Sequence, residues 1–338
     1  MVSSEINGNA GVSVCVYGAG AIGGYIAGIL GQAGANVSLV ARGAHLAAIQ
    51  RTGLHVQMPN GTIKIDAAAS DDPRALGKQD IVIVTVKAPA LPSVATAIGS
   101  MLKPDTSVVF VMNGIPWWYF YGLPGALRDR RLPLLDPDNA MWNNVDPSRV
   151  IGGVSYAASS VIEPGVIHLD NPGSGVVLGE PDNTVSPRVG QLADLLRTGG
   201  LTVQVTDSIR HRIWEKLLNN LASGPLGILT GCTIKELYSN DVIVQKVREL
   251  RAEGAAIARA SGCEIDPGID RHIELFRRME HKGSIVQDLE MGRPMEIDAL
   301  FTLPLQLARE ANVPTPNLDL FVALATMRAQ SARLRMPS

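Results

Sequence analysis

The feature that most constrains this chain is a glycine-rich turn near its N-terminus, where a β-rich run (12–17, VSVCVY) leads into a helix of small residues (about 21–32). In a G-x-G-x-x-G turn the first glycine permits a tight bend, the second lets the backbone approach a pyrophosphate, and the third allows close packing of helix on strand. The helix N-terminus adds N–H donors. The pattern predicts a dinucleotide-binding turn rather than a merely structural one, formed by Gly18, Ala19, Gly20, Ala21, Ile22 and Gly23.

The end of the second predicted strand (36–40) indicates which dinucleotide is bound. Folds specific for NAD usually place Asp or Glu there, where it accepts a hydrogen bond from the ribose 2′-hydroxyl. This chain has Arg42 at that place and no acidic residue between Glu5 and Asp66. A guanidinium group can pair with a 2′-phosphate, which favours NADPH/NADP+ as cofactor. The alternative is a solvated arginine at a strand end.

The rest of the chain divides into an α/β half and a helical half. Continuous apolar runs at 81–86 and 107–112 are typical of strands buried on both faces of a parallel sheet, and short β-like pieces follow between 151 and 205. From about residue 207 the spacing is helical. We therefore predict an α/β Rossmann-type N-terminal domain followed by an all-α C-terminal domain. The predicted divisions are a disordered extension (1–11), the NADP-binding domain (12–206), the helical substrate domain (207–330) and a tail (331–338).

Composition excludes several other classes of protein. Lys and Arg number 30 against 32 Asp and Glu, a formal charge of −2 that argues against a nucleic-acid partner. Three widely separated cysteines predict neither a disulfide framework nor a metal site. No apolar run approaches the roughly 18 residues that span a bilayer, and the polar N-terminus does not look like a secretory signal. We therefore expect a cytoplasmic protein with no membrane partner.

Polar residues at two kinds of position are candidates for a reaction centre. Lys87 and Asn113 directly follow predicted strands, at the edge where open α/β sheets bind ligands, although each also suits an ordinary loop. In the helical half Lys216 and Asn220 are spaced i, i+4 and so share a helix face. A lysine on a helix is more often a solvated charge than a functional group.

A second helical segment carries further polar candidates. Ser284 and Asp288 share a face, and Glu296 falls in the first turn of the next helix, just after Pro294. Spacing alone cannot bring Lys216, Ser284 and Glu296 together.

Taken together, these motifs resemble those of the ketopantoate reductase (2-dehydropantoate 2-reductase) family. The resemblance rests on Gly18 to Gly23, Val84-Thr85-Val86-Lys87-Ala88, Asn113-Gly114, Trp214-Glu215-Lys216-Leu217, Ser284-x-x-Gln287-Asp288 and Glu296-Ile297-Asp298. It covers residues from about 12 to about 312. It implies reduction of a small-molecule 2-oxo acid, ketopantoate, to pantoate with NADPH on the pathway to coenzyme A. It also implies a helical domain like that of 6-phosphogluconate dehydrogenase.

The resemblance also implies roles for individual residues. Lys216 matches the catalytic lysine, which can act as general acid towards the carbonyl oxygen, and Glu296 can hold that lysine or a substrate hydroxyl. The other implied roles are contact with the 2′-phosphate for Arg42, contact with nicotinamide and substrate for Lys87 and Asn113, and substrate binding for Asn220, Ser284 and Glu296.

Departures from the family pattern leave the substrate open. Where the family usually has a second asparagine this chain has Gly224, and where it commonly has Asn-Gly this chain has Leu300-Phe301-Thr302. Both changes remove hydrogen-bonding groups, which relaxes selection for a substrate hydroxyl. The aromatic run 117–121, followed by Trp142, is either a pocket wall for a bulkier substrate or packing at a domain junction or dimer contact.

Two alternatives therefore stand beside ketopantoate reduction. The first is a paralogue that reduces a bulkier 2-oxo acid, and the second is a non-catalytic redox sensor that binds NADP. Retention of Lys216, Ser284 and Glu296 together argues against the sensor. A homodimer through the helical half is compatible with the sequence, which does not determine the oligomeric state.

Overall fold

The computed structural model describes residues 11–170 and 175–333, and these form two compact units. The first unit contains residues 11–112, 117–123 and 128–209, and the second contains residues 113–116, 124–127 and 210–333. Two short pieces of the predicted N-terminal domain thus pack with the second unit. Residues 1–10 of the predicted extension and 334–338 of the predicted tail lie outside the described residues.

All described strands belong to the first unit. They are β1 (Ser13–Tyr17), β2 (Asn36–Val40), β3 (Leu54–Met58), β4 (Gly61–Ile65), β5 (Ala68–Ser70), β6 (Gln79–Val84), β7 (Leu102–Val111), β8 (Val150–Ser155), β9 (Ser159–Glu163), β10 (Val166–Leu169), β11 (Val176–Gly179) and β12 (Val203–Val205). The main sheet has the order β12-β11-β8-β7-β6-β1-β2-β5. Its segment β5-β2-β1-β6-β7-β8 is the strand order 3-2-1-4-5-6 of the doubly wound dinucleotide-binding fold. The predicted Rossmann-type class is confirmed.

The register of the main sheet aligns the carboxyl ends of strands β1, β2 and β6. Tyr17, the last residue of β1, is paired with Val40 of β2 on one side and Val84 of β6 on the other. All three strands run parallel, so the glycine-rich turn, the segment that begins at Arg42 and the segment that begins at Thr85 leave the sheet at one edge. Chain order reverses between β1 and β6, and ligands bind at such a reversal.

Four strands form a second, smaller sheet of order β4-β3-β10-β9, which the sequence did not predict. The pieces between 151 and 205 were expected to extend the main sheet. Strands β8, β11 and β12 do so, but β9 and β10 join β3 and β4. The second sheet packs closely on the first helix, where a Cβ on Gly28 or Gly31 would lie 2.7 Å from Val56 Cγ2 or 2.4 Å from Ile65 Cγ2. Gly28 and Gly31 thus allow this helix to pack closely on the second sheet, in addition to the glycines that form the turn before it.

Helices of the first unit flank the main sheet or connect its strands. They are α1 (Ala21–Gln32), α2 (Gly43–Thr52), α3 (Leu91–Ser100), α4 (Ala140–Val145) and α5 (Pro187–Thr198).

The aromatic run 117–121 belongs to the core of this unit, because its first four side chains are at most 1% exposed. The Trp118 ring lies 2.7 Å from the position of a Cβ on Gly152 in β8. This burial favours packing over a pocket wall.

The second unit is helical, as predicted. Its helices are α6 (Ile209–Thr230), α7 (Ile234–Tyr238), α8 (Asp241–Ala260), α9 (Ile269–Phe276), α10 (Ser284–Glu290), α11 (Leu303–Glu310) and α12 (Pro316–Arg333), with a π-helical turn at Asp298–Thr302. In α6 the apolar residues recur with a spacing of three and four and are almost fully buried; they are Trp214, Leu217, Leu218, Leu221 and Ala222. This buried face orients the helix and leaves Lys216 and Asn220 on a different face.

Candidate active site

The glycine-rich turn has the geometry that its sequence predicts. Gly18 has a φ of +105°, and a Cβ there would lie 2.8 Å from Val86 Cγ1. A Cβ on Gly23 would lie 2.1 Å from the Gly18 carbonyl oxygen, which also accepts a hydrogen bond from Thr85 Oγ1 at 2.6 Å. The first glycine is therefore required by its backbone conformation and the third by close packing of α1 on the turn.

The second glycine leaves space for a ligand. Apart from Gly20 itself and its two chain neighbours, no described protein atom lies within 4 Å of the position that a Cβ on Gly20 would take, although Gly18 and Gly23 are tightly packed. Gly20 caps the N-terminus of α1, and the first turn of that helix contains no acidic side chain. Free N–H groups, a helix dipole and an open approach suit a pyrophosphate group, so the residues present fit a dinucleotide.

Arg42 and Lys87 lie at the same edge of the main sheet. Arg42 is exposed just beyond β2, and its positive charge lowers the pKa of the Tyr17 phenol against the larger raising effect of burial. Lys87 is half-buried, three residues beyond β6. A guanidinium beside the end of β2 can pair with a 2′-phosphate, as the sequence predicted, and it has no acidic competitor on that strand.

A polar cluster in the second unit consists of Asn113, Lys216 and Glu296, and we call it the Lys216 cluster. Asn113 Nδ2 donates to Glu296 Oε2 at 3.0 Å. The backbone reinforces this contact, since Ile115 N donates to Ala299 O at 3.2 Å. The sequence placed Asn113 with the cofactor domain, but the structure packs residues 113–116 with the second unit.

Burial sets the chemistry of the Lys216 cluster. Glu296 is buried just before the π-helical turn, and its carbonyl oxygen accepts a hydrogen bond from Leu300 N at 3.1 Å. Burial lowers the pKa of the half-buried Lys216 ammonium to about 8, while the Glu296 carboxylate acts in the opposite direction. The ammonium is therefore charged near neutral pH and yet releases its proton more readily than an exposed lysine. π-Helical turns often occur at functional sites.

The remaining predicted residues of this unit lie on helices α6 and α10. Asn220 is half-buried one turn beyond Lys216 in α6, and Ser284 is the exposed first residue of α10. One turn beyond Asn220, a Cβ on Gly224 would lie 2.8 Å from Phe301 Cζ and 3.7 Å from Ile285 Cγ2. The aromatic ring thus occupies the place of a side chain at position 224. Gly224 and Phe301, which both depart from the family pattern, are therefore in direct contact with each other.

Comparison with known proteins decides the family. The pattern "Ketopantoate reductase PanE/ApbA" matches residues 14–183, and "Ketopantoate reductase PanE/ApbA C terminal" matches residues 208–329. The chain belongs to the ketopantoate reductase family. A 2-dehydropantoate 2-reductase of Mesorhizobium japonicum is 41% identical over 316 residues, which cover 93% of this chain and 96% of that protein. The predicted resemblance and the oxidoreductase class are confirmed.

Solved structures agree with this ketopantoate reductase fold. A candidate ketopantoate reductase from Ralstonia solanacearum MolK2 has a TM-score of 0.88 at 36% identity, covering 94% of this chain and 98% of the other. A D-mandelate dehydrogenase with NADH and anilino(oxo)acetate has a TM-score of 0.80 at 21% identity, covering 95% and 99%. The second likeness concerns the fold alone.

The structure of this ketopantoate reductase family member divides the predicted residues between its units. The turn 18–23, Arg42 and Lys87 belong to the first unit. The second unit contains the Lys216 cluster, Asn220 and Ser284. Their individual roles remain predictions. The sequence did not reveal the Phe301–Gly224 contact, because residues so far apart along the chain leave no local pattern.

The described ranges 11–170 and 175–333 lack two further kinds of feature. No group of three or more His, Cys, Asp and Glu side chains there is arranged to hold a metal ion. None of the helices in those ranges is both long enough and apolar enough to cross a membrane.

Proposed function

We propose that this chain reduces the keto group of a 2-oxo acid with NADPH, and that the acid is 2-dehydropantoate (ketopantoate). The observation that carries the proposal is the Lys216 cluster, where burial holds the pKa of an ammonium group at about 8 beside a buried carboxylate. The product is then pantoate, a precursor for pantothenate and coenzyme A. The 41% identity to a 2-dehydropantoate 2-reductase supports this choice of substrate.

In the proposed reaction the first unit binds the cofactor. The turn from Gly18 to Gly23 holds the pyrophosphate, Arg42 pairs with the 2′-phosphate, and Lys87 contacts the nicotinamide end. When bound, NADPH supplies a hydride to the carbonyl carbon of the acid. Membership of the ketopantoate reductase family supports a nicotinamide cofactor, while Arg42 and the absence of an acidic residue on β2 favour the phosphorylated form.

In the proposed reaction the second unit supplies the proton. As the carbonyl carbon is reduced, negative charge grows on its oxygen, and the Lys216 ammonium stabilises that charge and donates a proton to it. Glu296 keeps Lys216 in the ammonium form by its negative charge. Asn113 holds the Glu296 carboxylate through its hydrogen bond. Asn220 and Ser284 bind the substrate, Ser284 by donating to its carboxylate.

Another 2-oxo acid, larger or more apolar than ketopantoate, is the second candidate substrate. Phe301 and Gly224 present an aromatic ring where a polar side chain would otherwise lie. A site without that group discriminates less strongly for a substrate hydroxyl. A non-catalytic NADP sensor is the third candidate, and the Lys216 cluster argues against it because simple binding does not require an ammonium group with a lowered pKa.

The test is consumption of NADPH, and of NADH in parallel, by the purified protein with ketopantoate and a graded series of bulkier 2-oxo acids. We expect NADPH and ketopantoate to give the highest kcat/KM. A clear preference for a bulkier acid would assign the enzyme to another pathway. Binding of NADPH without turnover of any acid would support the sensor. The cytoplasmic location and the homodimer stay predictions, for cell fractionation and light scattering to test.

A further inference from the structure

His45, on α2, contacts the glycine-rich turn through its imidazole ring. His45 Nε2 lies 2.7 Å from the Ala19 carbonyl oxygen. On the other side of the ring, the Gly165 backbone N–H donates to His45 Nδ1 at 3.0 Å. Because a backbone N–H can only donate, Nδ1 is the unprotonated nitrogen and Nε2 carries the proton. Nε2 is therefore the ring nitrogen that donates to the Ala19 carbonyl.

The hydrogen bond from Gly165 to this imidazole comes from a well-fixed part of the backbone. It lies in the turn between β9 and β10, with a φ of +83°, and its carbonyl oxygen accepts from His55 N of β3 at 2.9 Å. A Cβ on Gly165 would lie 3.1 Å from Ala48 Cβ of α2. Since both polar groups of its backbone are engaged, this glycine offers His45 Nδ1 a hydrogen-bond donor in a fixed position. The second sheet thereby reaches the dinucleotide turn through one side chain.

The contact fixes a peptide group of the turn itself. The N–H groups of Gly18 and Ala19 both donate to Val40 O at 3.1 Å, so β2 holds one side of Ala19 and His45 holds the other. In a trans peptide the Ala19 carbonyl and the Gly20 N–H point in opposite directions. His45 draws the carbonyl oxygen towards α2 and so aims the Gly20 N–H away from α2. Gly20 is also the residue that leaves open space for a ligand.

We infer that His45 is a positioning residue for dinucleotide binding, which orients the Ala19–Gly20 peptide so that an N–H, and not a carbonyl oxygen, faces the pyrophosphate. The inference rests on the proposed function, because it assumes that the turn binds a dinucleotide. A carbonyl oxygen facing the phosphates would repel them, whereas an N–H donates to them. His45 acts through the turn and does not itself touch the cofactor.

Two amide variants separate the two hydrogen bonds of the ring. Glutamine places its amide nitrogen near the position of Nε2, so His45→Gln keeps a donor for Ala19. Asparagine places its amide oxygen near the position of Nδ1, so His45→Asn keeps only an acceptor for Gly165. The dissociation constants for NADPH and NADH are measured by fluorescence titration for these variants, His45→Ala and the parent protein. Tm is recorded for each protein.

We expect His45→Asn and His45→Ala to weaken binding about five- to tenfold, and His45→Gln to remain within about twofold of the parent. The loss is the same factor for NADPH and NADH, because the pyrophosphate is common to both. Saturating cofactor restores kcat in all three variants. A structural role alone would lower Tm without this difference between Gln and Asn.

Three results would overturn the role of His45 alone: parental affinity in His45→Asn, equal losses in all three variants, or a loss confined to NADPH. The last would place His45 at the 2′-phosphate instead. Failure of the parent protein to bind either dinucleotide would overturn the proposed function itself. The parent and the variants thus report on separate questions.

Discussion

The ring of Phe301 lies against Gly224, with Cζ 2.8 Å from the position that a Cβ on that glycine would take. Phe301 is only 1% exposed, so the ring has no solvent-filled space into which it can move. Gly224 follows Lys216 and Asn220 on α6 at intervals of four residues, and Phe301 lies in the π-helical turn just beyond Glu296. One pair of residues therefore links the helix of the proposed proton donor to the segment of its carboxylate partner.

This pair predicts that the destabilising effects of substitutions at the two positions are less than additive. Gly224→Asn should lower the free energy of unfolding by about 1–3 kcal/mol, because the new side chain collides with a buried ring. Phe301→Ala should also destabilise, by leaving a cavity. The double variant should be more stable than the sum of the two losses predicts, as measured by thermal unfolding. Gly190→Ala on α5, where a Cβ meets open space, is the control. Strict additivity would show that the two positions do not compete for space.

Two glycines of the dinucleotide turn should separate binding from folding. Gly20→Ala should keep the parental Tm, since its Cβ would meet no described atom within 4 Å, but weaken NADPH binding at least about tenfold by obstructing the pyrophosphate. Gly23→Ala should lower Tm as well, because its Cβ would lie 2.1 Å from a backbone oxygen. Thermal unfolding and fluorescence titration measure both effects. Unchanged NADPH affinity in Gly20→Ala would contradict binding at this turn.

The Lys216 cluster predicts a pH dependence of opposite sign in the two directions of the reaction. Reduction needs the ammonium form, so kcat for reduction should fall as pH rises through about 8, whereas kcat for alcohol oxidation should rise. Lys216→Arg should lack this limb, because a guanidinium stays protonated. Stopped-flow rates at saturating substrates measure the profile. A limb near pH 8 that persists in Lys216→Arg would assign the titration to another group.

Removal of the lysine side chain should affect turnover and not cofactor binding. Lys216→Ala should lower kcat about 10²–10⁴-fold, the usual contribution of a proton donor, and leave the dissociation constant for NADPH nearly unchanged. Lys235→Ala is the matched control, since Lys235 lies on α7 of the same unit and pairs with Glu280 at the surface. Loss of NADPH affinity in Lys216→Ala would contradict the proposed role.

A buried histidine of the second unit should make this protein sensitive to acid. His272 Nε2 lies 2.5 Å from the Tyr238 hydroxyl, and burial, together with the charge of Arg251, lowers the pKa of the imidazole from 6.5 to about 3. Above pH 6.5 the histidine is neutral in both folded and unfolded chains. Between pH 6.5 and about 3 only the unfolded chain takes up the proton, so the free energy of unfolding falls as pH decreases.

The measurement is Tm against pH for His272→Gln and for His281→Gln, which alters an exposed histidine of the same unit. The free energy of unfolding of the parent should decline by up to about 1.4 kcal/mol per pH unit from this group. His272→Gln should flatten that decline, and His281→Gln should leave it unchanged. The same acid sensitivity in His272→Gln and the parent would exclude His272 as its source.

Local periodicity was sufficient to predict much of the first unit and the helical character of the second. Strands β1, β2 and β6 and helix α1 were predicted within about two residues of their observed bounds, because buried parallel strands form continuous apolar runs and a glycine turn marks the junction. Strand β7 was predicted from its apolar run at 107–112, but it begins earlier, at Leu102. The shared helix face of Lys216 and Asn220 followed from a spacing of four. Each of these features depends on residues within one or two turns of each other.

The second sheet could not be predicted from local patterns in the sequence. β3 pairs with β10 in parallel, Val56 opposite Ile167, and no short-range pattern marks strands that are joined from such distant segments. The assignment of residues 113–116 to the second unit has the same origin, because it depends on a long-range hydrogen bond from Asn113 to Glu296.

The sequence by itself determined the dinucleotide turn, the fold class, the resemblance to the ketopantoate reductase family and the residue types available for catalysis. Only the tertiary structure decided which of them meet: Glu296 with Asn113 and Lys216, Phe301 with Gly224, and His45 with Ala19. Spacing along the chain determines which residues share a face of one element. Contacts between elements depend on how the whole chain packs, and the pKa of Lys216 follows from that packing through burial and a neighbouring charge.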